Sequence, residues 1–235
     1  MNLGKGISPH TKLLFLAAVL ILAPCHSTAQ SGFDAQIQRM LESDKTNPPP
    51  QRGIMFLGPS FFGRWARSAG LSEQMAPLPV FHRFGGSSTQ EMIDGAGQLV
   101  VPLQPRIIVY YCGSNDVNAG DTAEAIIGRT KRFLAIVREK LPDTMVYYAS
   151  LQKAPDKRAR WDVVEAVNRE MERYSHEVHN VGFIDLNTVL FDRNGVLRED
   201  LFLPDQLHFR LESTAYAEFT QVVKPVLMKA WEAQK

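Results

Sequence analysis

Cysteine is scarce in this sequence, and its scarcity limits what can hold the fold together. The 235 residues include only two cysteines, Cys25 and Cys112. Cys25 belongs to an N-terminal segment that we predict to be removed, which would leave Cys112 alone and exclude an intramolecular disulfide. Because Cys112 lies in an apolar run, we interpret it as a small buried hydrophobic residue rather than a reactive thiol. A chain of this length is long enough to be stabilised by an apolar core instead.

An excess of charge of either sign is also lacking. Lysine and arginine number 26, aspartate and glutamate number 25, and the formal net charge is +1. The longest basic cluster, DKRAR at 156–160, is short and includes an aspartate. Nucleic-acid binding would require clustered lysine and arginine, so we predict no nucleic-acid partner. The content of 45% hydrophobic and 22% charged residues is ordinary for a globular protein.

Long hydrophobic runs are missing except for one near the N-terminus, at residues 13–24. Lys5 and Lys12 precede this run, and small and polar residues follow it. This order is typical of a secretory signal peptide, and the run is too short to span a bilayer comfortably. We therefore predict a signal peptide over residues 1–29, cleaved after Ala29, and a periplasmic or secreted protein without stable membrane insertion.

A second cleavage site stays open. A cut before Cys25 would give a lipid-anchored protein, although Pro24 stands where a lipid-attachment box wants a small residue. After the signal peptide, we interpret residues 30–51 as an N-terminal helix and a proline-rich linker. Residues 52–235 form the main predicted domain.

Five short apolar runs within this domain predict β-strands. They lie at residues 53–58, 78–84, 106–113, 144–150 and 181–186. The runs are mostly continuous rather than alternating, as expected for strands buried on both faces of a parallel sheet. Amphipathic helical patterns lie between and after them, at residues 121–141, 161–178 and 213–232. The alternation predicts a single three-layer α/β/α domain with a five-stranded parallel sheet. We expect the first of these helices to be capped by Asp121, with Arg129 on its polar face.

Polar and small residues follow four of the predicted strands, where ligands bind in such sheets. These segments are GPS at 58–60, FGGSST at 84–89, CGSND at 112–116 and LPDQLHF at 203–209. In the last segment, Asp205 can fix the tautomer of His208, whose other ring nitrogen can then take a proton from the hydroxyl of Ser60. Acyl transfer also needs donors for a developing oxyanion, which Gly85, Gly86 and Asn115 can offer. We interpret Asp116 as a turn residue that supports Asn115.

These motifs resemble the four blocks of the SGNH/GDSL hydrolases, a family of GDSL-like lipases and esterases. The blocks occur in order over roughly residues 52–230, as Ser60, RFGGS, GSND and DQLH. The resemblance implies a flavodoxin-like SGNH hydrolase fold and a serine esterase that needs no metal or cofactor. By the same analogy, Ser60 is the nucleophile, His208 the base and Asp205 its orienting partner. The backbone N–H groups of Ser60 and Gly86 and the amide of Asn115 would form the oxyanion hole.

One departure from the family pattern concerns Pro59, which replaces the usual small polar residue before the serine. Proline removes an N–H donor and a polar side chain from this turn. Phe61, Phe62 and Trp65 follow, and we expect them to pack into the core rather than line an acyl pocket. No long lid segment is evident, so the favoured substrates are short acyl esters of carbohydrates or small alcohols. Two alternatives stay open: an O-acyltransferase of the same fold, and a non-catalytic exported ligand-binding module motivated by Pro59.

Overall fold

The computed structural model describes residues 28–83 and 88–234. Within these ranges, five β-strands alternate with α-helices, as the apolar runs predicted. The strands are β1 (Ile54–Leu57), β2 (Val80–Arg83), β3 (Ile107–Tyr110), β4 (Met145–Ala149) and β5 (Val181–Ile184). The helices are α1 (Thr28–Thr46), α2 (Ser60–Ser68), α3 (Leu71–Met75), α4 (Thr89–Leu99), α5 (Ser114–Ala119), α6 (Ala123–Lys140), α7 (Trp161–Glu177) and α8 (Ala215–Ala233).

The five strands form one parallel sheet in the order β2-β1-β3-β4-β5. This is the predicted three-layer α/β architecture with flavodoxin-like strand order. All four residues of β1 and all four of β3 are buried, which explains why these runs are continuously apolar. The strand order reverses between β1 and β3, and doubly wound sheets bind their ligands in the crevice at this point. The segments that follow β1 and β3 therefore meet at the natural binding crevice.

The N-terminal helix α1 is docked on this domain. Phe33 and Ile37 are buried on its inner face, and the ring of Phe33 lies against Gly95 of α4. Asp44, near the end of α1, forms an ion pair with the buried Arg83 at the end of β2. Residues 1–27 lie outside the described residues, so the predicted signal peptide and the lipid anchor at Cys25 stay predictions. In the described part of the chain, no helix has the length and hydrophobicity needed to cross a membrane.

The start of α6 differs from the expectation. Thr122, not Asp121, is the N-cap, and its hydroxyl accepts from the backbone N–H of Ala125 at 3.3 Å. The side chain of Asp121 forms an ion pair with Arg129 instead. Both residues are good N-caps, and sequence alone does not decide between neighbours. The carboxylate of Asp121 instead pairs with Arg129, nearly two turns into α6, which the sequence pattern had assigned to the solvent face of the helix.

Candidate active site

Ser60 stands at the junction of β1 and α2, at the carboxyl edge of the sheet. Gly58 makes this junction tight: a Cβ there would lie 2.3 Å from the carbonyl oxygen of Tyr111. Pro59 is the N-cap residue of α2, with φ of −73°, close to the value that its ring imposes. Its missing N–H removes no helical hydrogen bond, because the first N–H groups of a helix have no partner within it. The unusual proline therefore fits the turn that presents Ser60.

The aromatic residues after Ser60 belong to the core, as expected. Phe61, Phe62 and Trp65 are 5%, 1% and 0% exposed. Phe61 also contacts the site, because its ring lines the cavity next to Ser60. The interpretation of these residues as core is therefore correct, and Phe61 has a second contact on the cavity side.

Ser60, His208 and Asp205 form a continuous hydrogen-bonded row. The Oγ of Ser60 lies 3.0 Å from Nε2 of His208, and Nδ1 of His208 lies 2.7 Å from Oδ2 of Asp205. Because Asp205 is a carboxylate, Nδ1 donates to it, and Nε2 is left to accept the proton of the serine hydroxyl. This arrangement can activate a serine for attack on a carbonyl carbon.

The loop that carries Asp205 and His208 is held by its own hydrogen bonds. Oδ1 of Asp205 accepts from the backbone N–H of Leu207 at 3.0 Å and of His208 at 2.9 Å. The turn places Gln206 at φ of +58°, and the N–H of Leu203 donates to the carbonyl of His208 at 2.7 Å. The carboxylate and the imidazole are therefore positioned together by local structure.

The pKa of Asp205 is low despite partial burial. Burial acts to raise it, but hydrogen bonds from the backbone N–H of His208, from its ring and from the N–H of Leu207 lower the pKa to about 2. The carboxylate is consequently ionised at any pH at which a neutral histidine can act as a base.

Asn115 reaches the same site from the neighbouring strand. It belongs to α5, which begins after Gly113 at the end of β3, and Gly113 has φ of +121°. Asn115 lines one cavity with Ser60 and His208. Gly86, the other predicted oxyanion donor, lies outside the described residues.

Asp116 has a different role from the predicted one. Its side chain is buried and accepts from the backbone N–H of Thr89 at 3.0 Å and from the Thr89 hydroxyl at 2.5 Å. Arg129 of α6 donates to the same carboxylate at 3.1 Å. Asp116 is thus not merely a turn residue, because it ties α5 to the start of α4 and to α6.

Further polar residues of the cavity were not singled out from the sequence. The cavity is lined by Pro59, Ser60, Phe61, Tyr111, Ser114, Asn115, Gln152, Leu207, His208, Phe209 and Tyr216. The hydroxyl of Tyr111 donates to Oε1 of Gln152 at 3.3 Å. The only feature of the sequence that could have indicated Gln152 is its position, because it lies just after the carboxyl end of β4. Among the described residues, no group of three or more His, Cys, Asp or Glu side chains is arranged to hold a metal ion.

Solved structures with the same fold have esterase-related descriptions. A GDSL-like lipase from Bacteroides thetaiotaomicron aligns with a TM-score of 0.68 at 17% identity, covering 83% of this chain and 98% of that one. A member of the lipolytic G-D-S-L family from Veillonella parvula aligns with a TM-score of 0.61 at 22% identity, and the alignment covers 74% of this chain and 97% of that one. A carbohydrate esterase family 3 protein from Talaromyces cellulolyticus aligns with a TM-score of 0.57 at 18% identity, and the alignment covers 75% of this chain and 96% of that one. At these identities the likeness establishes the fold.

The family itself is established by sequence. A comparison with curated proteins finds no match. The family model of the GDSL-like lipase/acylhydrolases matches residues 57–212, which is more than half of the chain and includes Ser60, Asn115, Asp205 and His208. The chain therefore belongs to the GDSL-like lipase/acylhydrolase family and is an SGNH-type ester hydrolase.

Proposed function

We propose that this enzyme is an exported serine esterase that removes short acyl groups from carbohydrates or small alcohols through an acyl-enzyme on Ser60. The observation that carries the proposal is the hydrogen-bonded row from Ser60 through His208 to Asp205, with distances of 3.0 and 2.7 Å. Ser60 and His208 also line one cavity together with Asn115, which supports the same proposed function.

The reaction follows from these roles. Oγ of Ser60 attacks the ester carbonyl carbon while Nε2 of His208 takes the hydroxyl proton. When the tetrahedral intermediate collapses, the bond to the alkoxy oxygen breaks and His208 gives its proton to the leaving alcohol. Water then attacks the acyl-enzyme with the same base, which releases the carboxylic acid and frees Ser60. Asp205 stabilises the imidazolium in both halves.

The developing oxyanion requires donors near Ser60. We assign the amide of Asn115 and the backbone N–H of Ser60 to this role, and by family analogy the N–H of Gly86. Ser60 is the first residue of α2, so its N–H is not used by the helix. Such preorganised donors stabilise the charge that forms in the transition state.

The short acyl group is supported by the size of the cavity. Its volume is about 10 Å³, with aromatic side chains of Phe61, Phe209 and Tyr216 in its wall. That is about the room of one water-sized sphere in a cavity that is open on one side, which favours small acyl groups over bulky ones. The fold is shared with a carbohydrate esterase, which favours a sugar or small alcohol as the leaving group. Export rests on the signal-peptide pattern of residues 1–29.

The test is hydrolysis of p-nitrophenyl acetate and butyrate by the purified protein and by Ser60→Ala. Turnover should favour acetate and vanish in the variant. Ser175→Ala, at a partly exposed serine of α7 away from the cavity, is the matched control and should retain wild-type turnover. Equal turnover in Ser60→Ala would refute the proposed nucleophile. In the same assay with an added sugar as acceptor, accumulation of the acylated sugar in place of free acid would redirect the assignment to acyl transfer.

A further inference from the structure

The amide of Gln152 is a buried polar group of the cavity whose donor atom has no role in the mechanism described above. Gln152 is only 3% exposed, and it lines the cavity together with Ser60 and His208. Its Oε1 accepts from the hydroxyl of Tyr111. Its Nε2 is buried and has no hydrogen-bond partner among the residues that the structure describes. Leaving a buried donor unpaired is unfavourable, and such groups are rare in folded proteins.

Tyr111 fixes which end of the amide is unpaired. In the structure the hydroxyl of Tyr111 donates to Oε1 of Gln152, with 3.3 Å between the two oxygens. The oxygen of Gln152 is the acceptor for that proton, which leaves the two N–H groups of Nε2 without an acceptor. A ligand that brings an oxygen atom into the cavity would satisfy them.

The acyl part of the ester is the part that stays in this cavity. His208 is 24% exposed at its side chain and Asp205 is 47% exposed, so the base faces the solvent side of Ser60. The alcohol must leave on that side, because His208 hands it a proton. In the proposed mechanism the acyl group stays bonded to Ser60, next to Phe61, Tyr111 and Gln152 in the cavity lining.

We propose that Gln152 is a specificity-determining residue whose Nε2 donates a hydrogen bond to an oxygen on the acyl group. The preferred substrates would then be esters of short hydroxyacyl groups rather than of purely aliphatic ones. This inference rests on the ester hydrolysis through Ser60 proposed above. A site built to bind a polar group discriminates strongly against the analogue that lacks it, because its own donor is then left unpaired.

The experiment compares ethyl glycolate with ethyl propionate, which differ by a hydroxyl in place of a methyl group. Values of kcat/KM are measured by release of acid. The two esters differ in intrinsic reactivity, so the glycolate-to-propionate ratio is first compared with that for hydroxide-catalysed hydrolysis. The wild-type enzyme should exceed the hydroxide ratio by about tenfold or more. A ratio no greater than the hydroxide ratio would overturn the proposal without any variant, even if a substitution prevents folding.

The variants Gln152→Met and Gln152→Glu then remove the donor. Each keeps a side chain of similar length, and Glu keeps an oxygen for Tyr111. The glycolate preference should fall about tenfold in both, because intrinsic reactivity cancels between enzymes. An unchanged ratio beside an inactive Ser60→Ala would overturn the role of Gln152 and leave the esterase intact. Ester turnover that persists in Ser60→Ala would overturn both proposals.

Discussion

Asp205 both holds a turn and accepts a hydrogen bond from His208, and a substitution can separate these two roles. Its Oδ1 holds the turn through two backbone N–H groups, while Oδ2 accepts from the ring of His208. Asp205→Asn keeps the size of the side chain but removes the charge that stabilises the imidazolium. We expect kcat to fall by roughly 10²- to 10⁴-fold, measured with p-nitrophenyl acetate.

The matched control for that substitution is Asp192→Asn. Oδ1 of Asp192 also accepts from two backbone N–H groups, those of Asn194 and Val196, both at 2.8 Å. Asp192 lies outside the cavity lining, so this variant should change kcat by less than about twofold. Equal losses in the two variants would mean that Asp205 acts only as a turn residue.

Asn115 is the proposed oxyanion donor whose side chain can be removed by substitution. Asn115→Ala should lower kcat by roughly 10²- to 10³-fold with a small change in KM, because the lost hydrogen bond forms mainly in the transition state. Steady-state kinetics with p-nitrophenyl acetate give both values. A near-normal kcat would contradict the assigned role.

Gly58 is the backbone position on which the placement of Ser60 depends most. In Gly58→Ala, the new methyl would meet the backbone carbonyl of Tyr111, which cannot rotate away as a side chain would. We expect a loss of about 1–3 kcal/mol in the free energy of unfolding, together with reduced turnover. Denaturant titration and kinetics check the two effects.

Gly97 supplies the opposite case for comparison. It lies inside α4, and a Cβ there would meet nothing within 4 Å. Gly97→Ala should therefore leave activity unchanged and stabilise the fold by about 0.5–1 kcal/mol, through the better helix propensity of alanine. If both alanine variants behaved alike, the tight junction at Gly58 would not explain the glycine.

At the scale of elements, the buried carboxylate of Asp116 joins three helices beside the site. It receives hydrogen bonds from Thr89 of α4 and Arg129 of α6, while it belongs to α5 with Asn115. Arg129→Met would leave this charge without its cationic partner. We expect the free energy of unfolding to fall by about 2–4 kcal/mol, since removing one member of a buried pair is costly. We also expect kcat to fall, because α5 carries Asn115.

Arg173→Met is the control for that variant. Arg173 pairs with Glu170 and Glu177 on the exposed face of α7, and its side chain is 54% exposed. Surface pairs contribute less than about 1 kcal/mol, so denaturant titration should separate the two arginines clearly. Comparable losses would argue against a special role for the link through Asp116.

The parallel sheet and the residues of the candidate site could be predicted from the sequence. The parallel sheet was predictable because strands buried on both faces, such as β1 and β3, read as continuous apolar runs. Ser60, Asn115, Asp205 and His208 were found because they follow strand ends in recognisable motifs. Their catalytic roles stay a proposal.

Other features depend on tertiary packing that no local pattern encodes. The partners of Asp116, the capture of Asp121 by Arg129 and the unpaired amide of Gln152 each involve residues from separate elements. A short sequence motif does not predict which side chain from another element will contact it. The predicted donor Gly86 could not be assessed, because it lies outside the described residues.

For the whole molecule, His82 makes stability depend on pH. It lies on β2 with Nε2 3.4 Å from the carbonyl oxygen of Gly58. Burial lowers its pKa to about 4, Arg67 and Arg83 add smaller repulsion, and only the Gly58 carbonyl acts to raise it. The unfolded chain would bind this proton near pH 6.5, so the stabilisation is complete above pH 6.5 and is lost as the pH falls towards 4.

The contribution can be measured by denaturant titration at pH 7.5 and pH 5. Between these values the wild-type protein should lose about 2 kcal/mol because of His82 alone. His82→Gln, which does not titrate, should lose that much less over the same interval. The same pH dependence in both proteins would mean that the acid sensitivity comes from other groups.

The separation of Ser60 and His208 along the chain has a consequence for when the enzyme becomes active. The two residues are 148 positions apart, yet their side chains lie 3.0 Å from each other. A ribosome therefore makes the proposed nucleophile early and the proposed base late, after all five strands have been made. If these roles are right, the serine of the nascent chain stays inert until the segment of His208 has been made and has folded against Ser60. Recovered activity during refolding would accordingly report that these two distant segments have come together across the sheet.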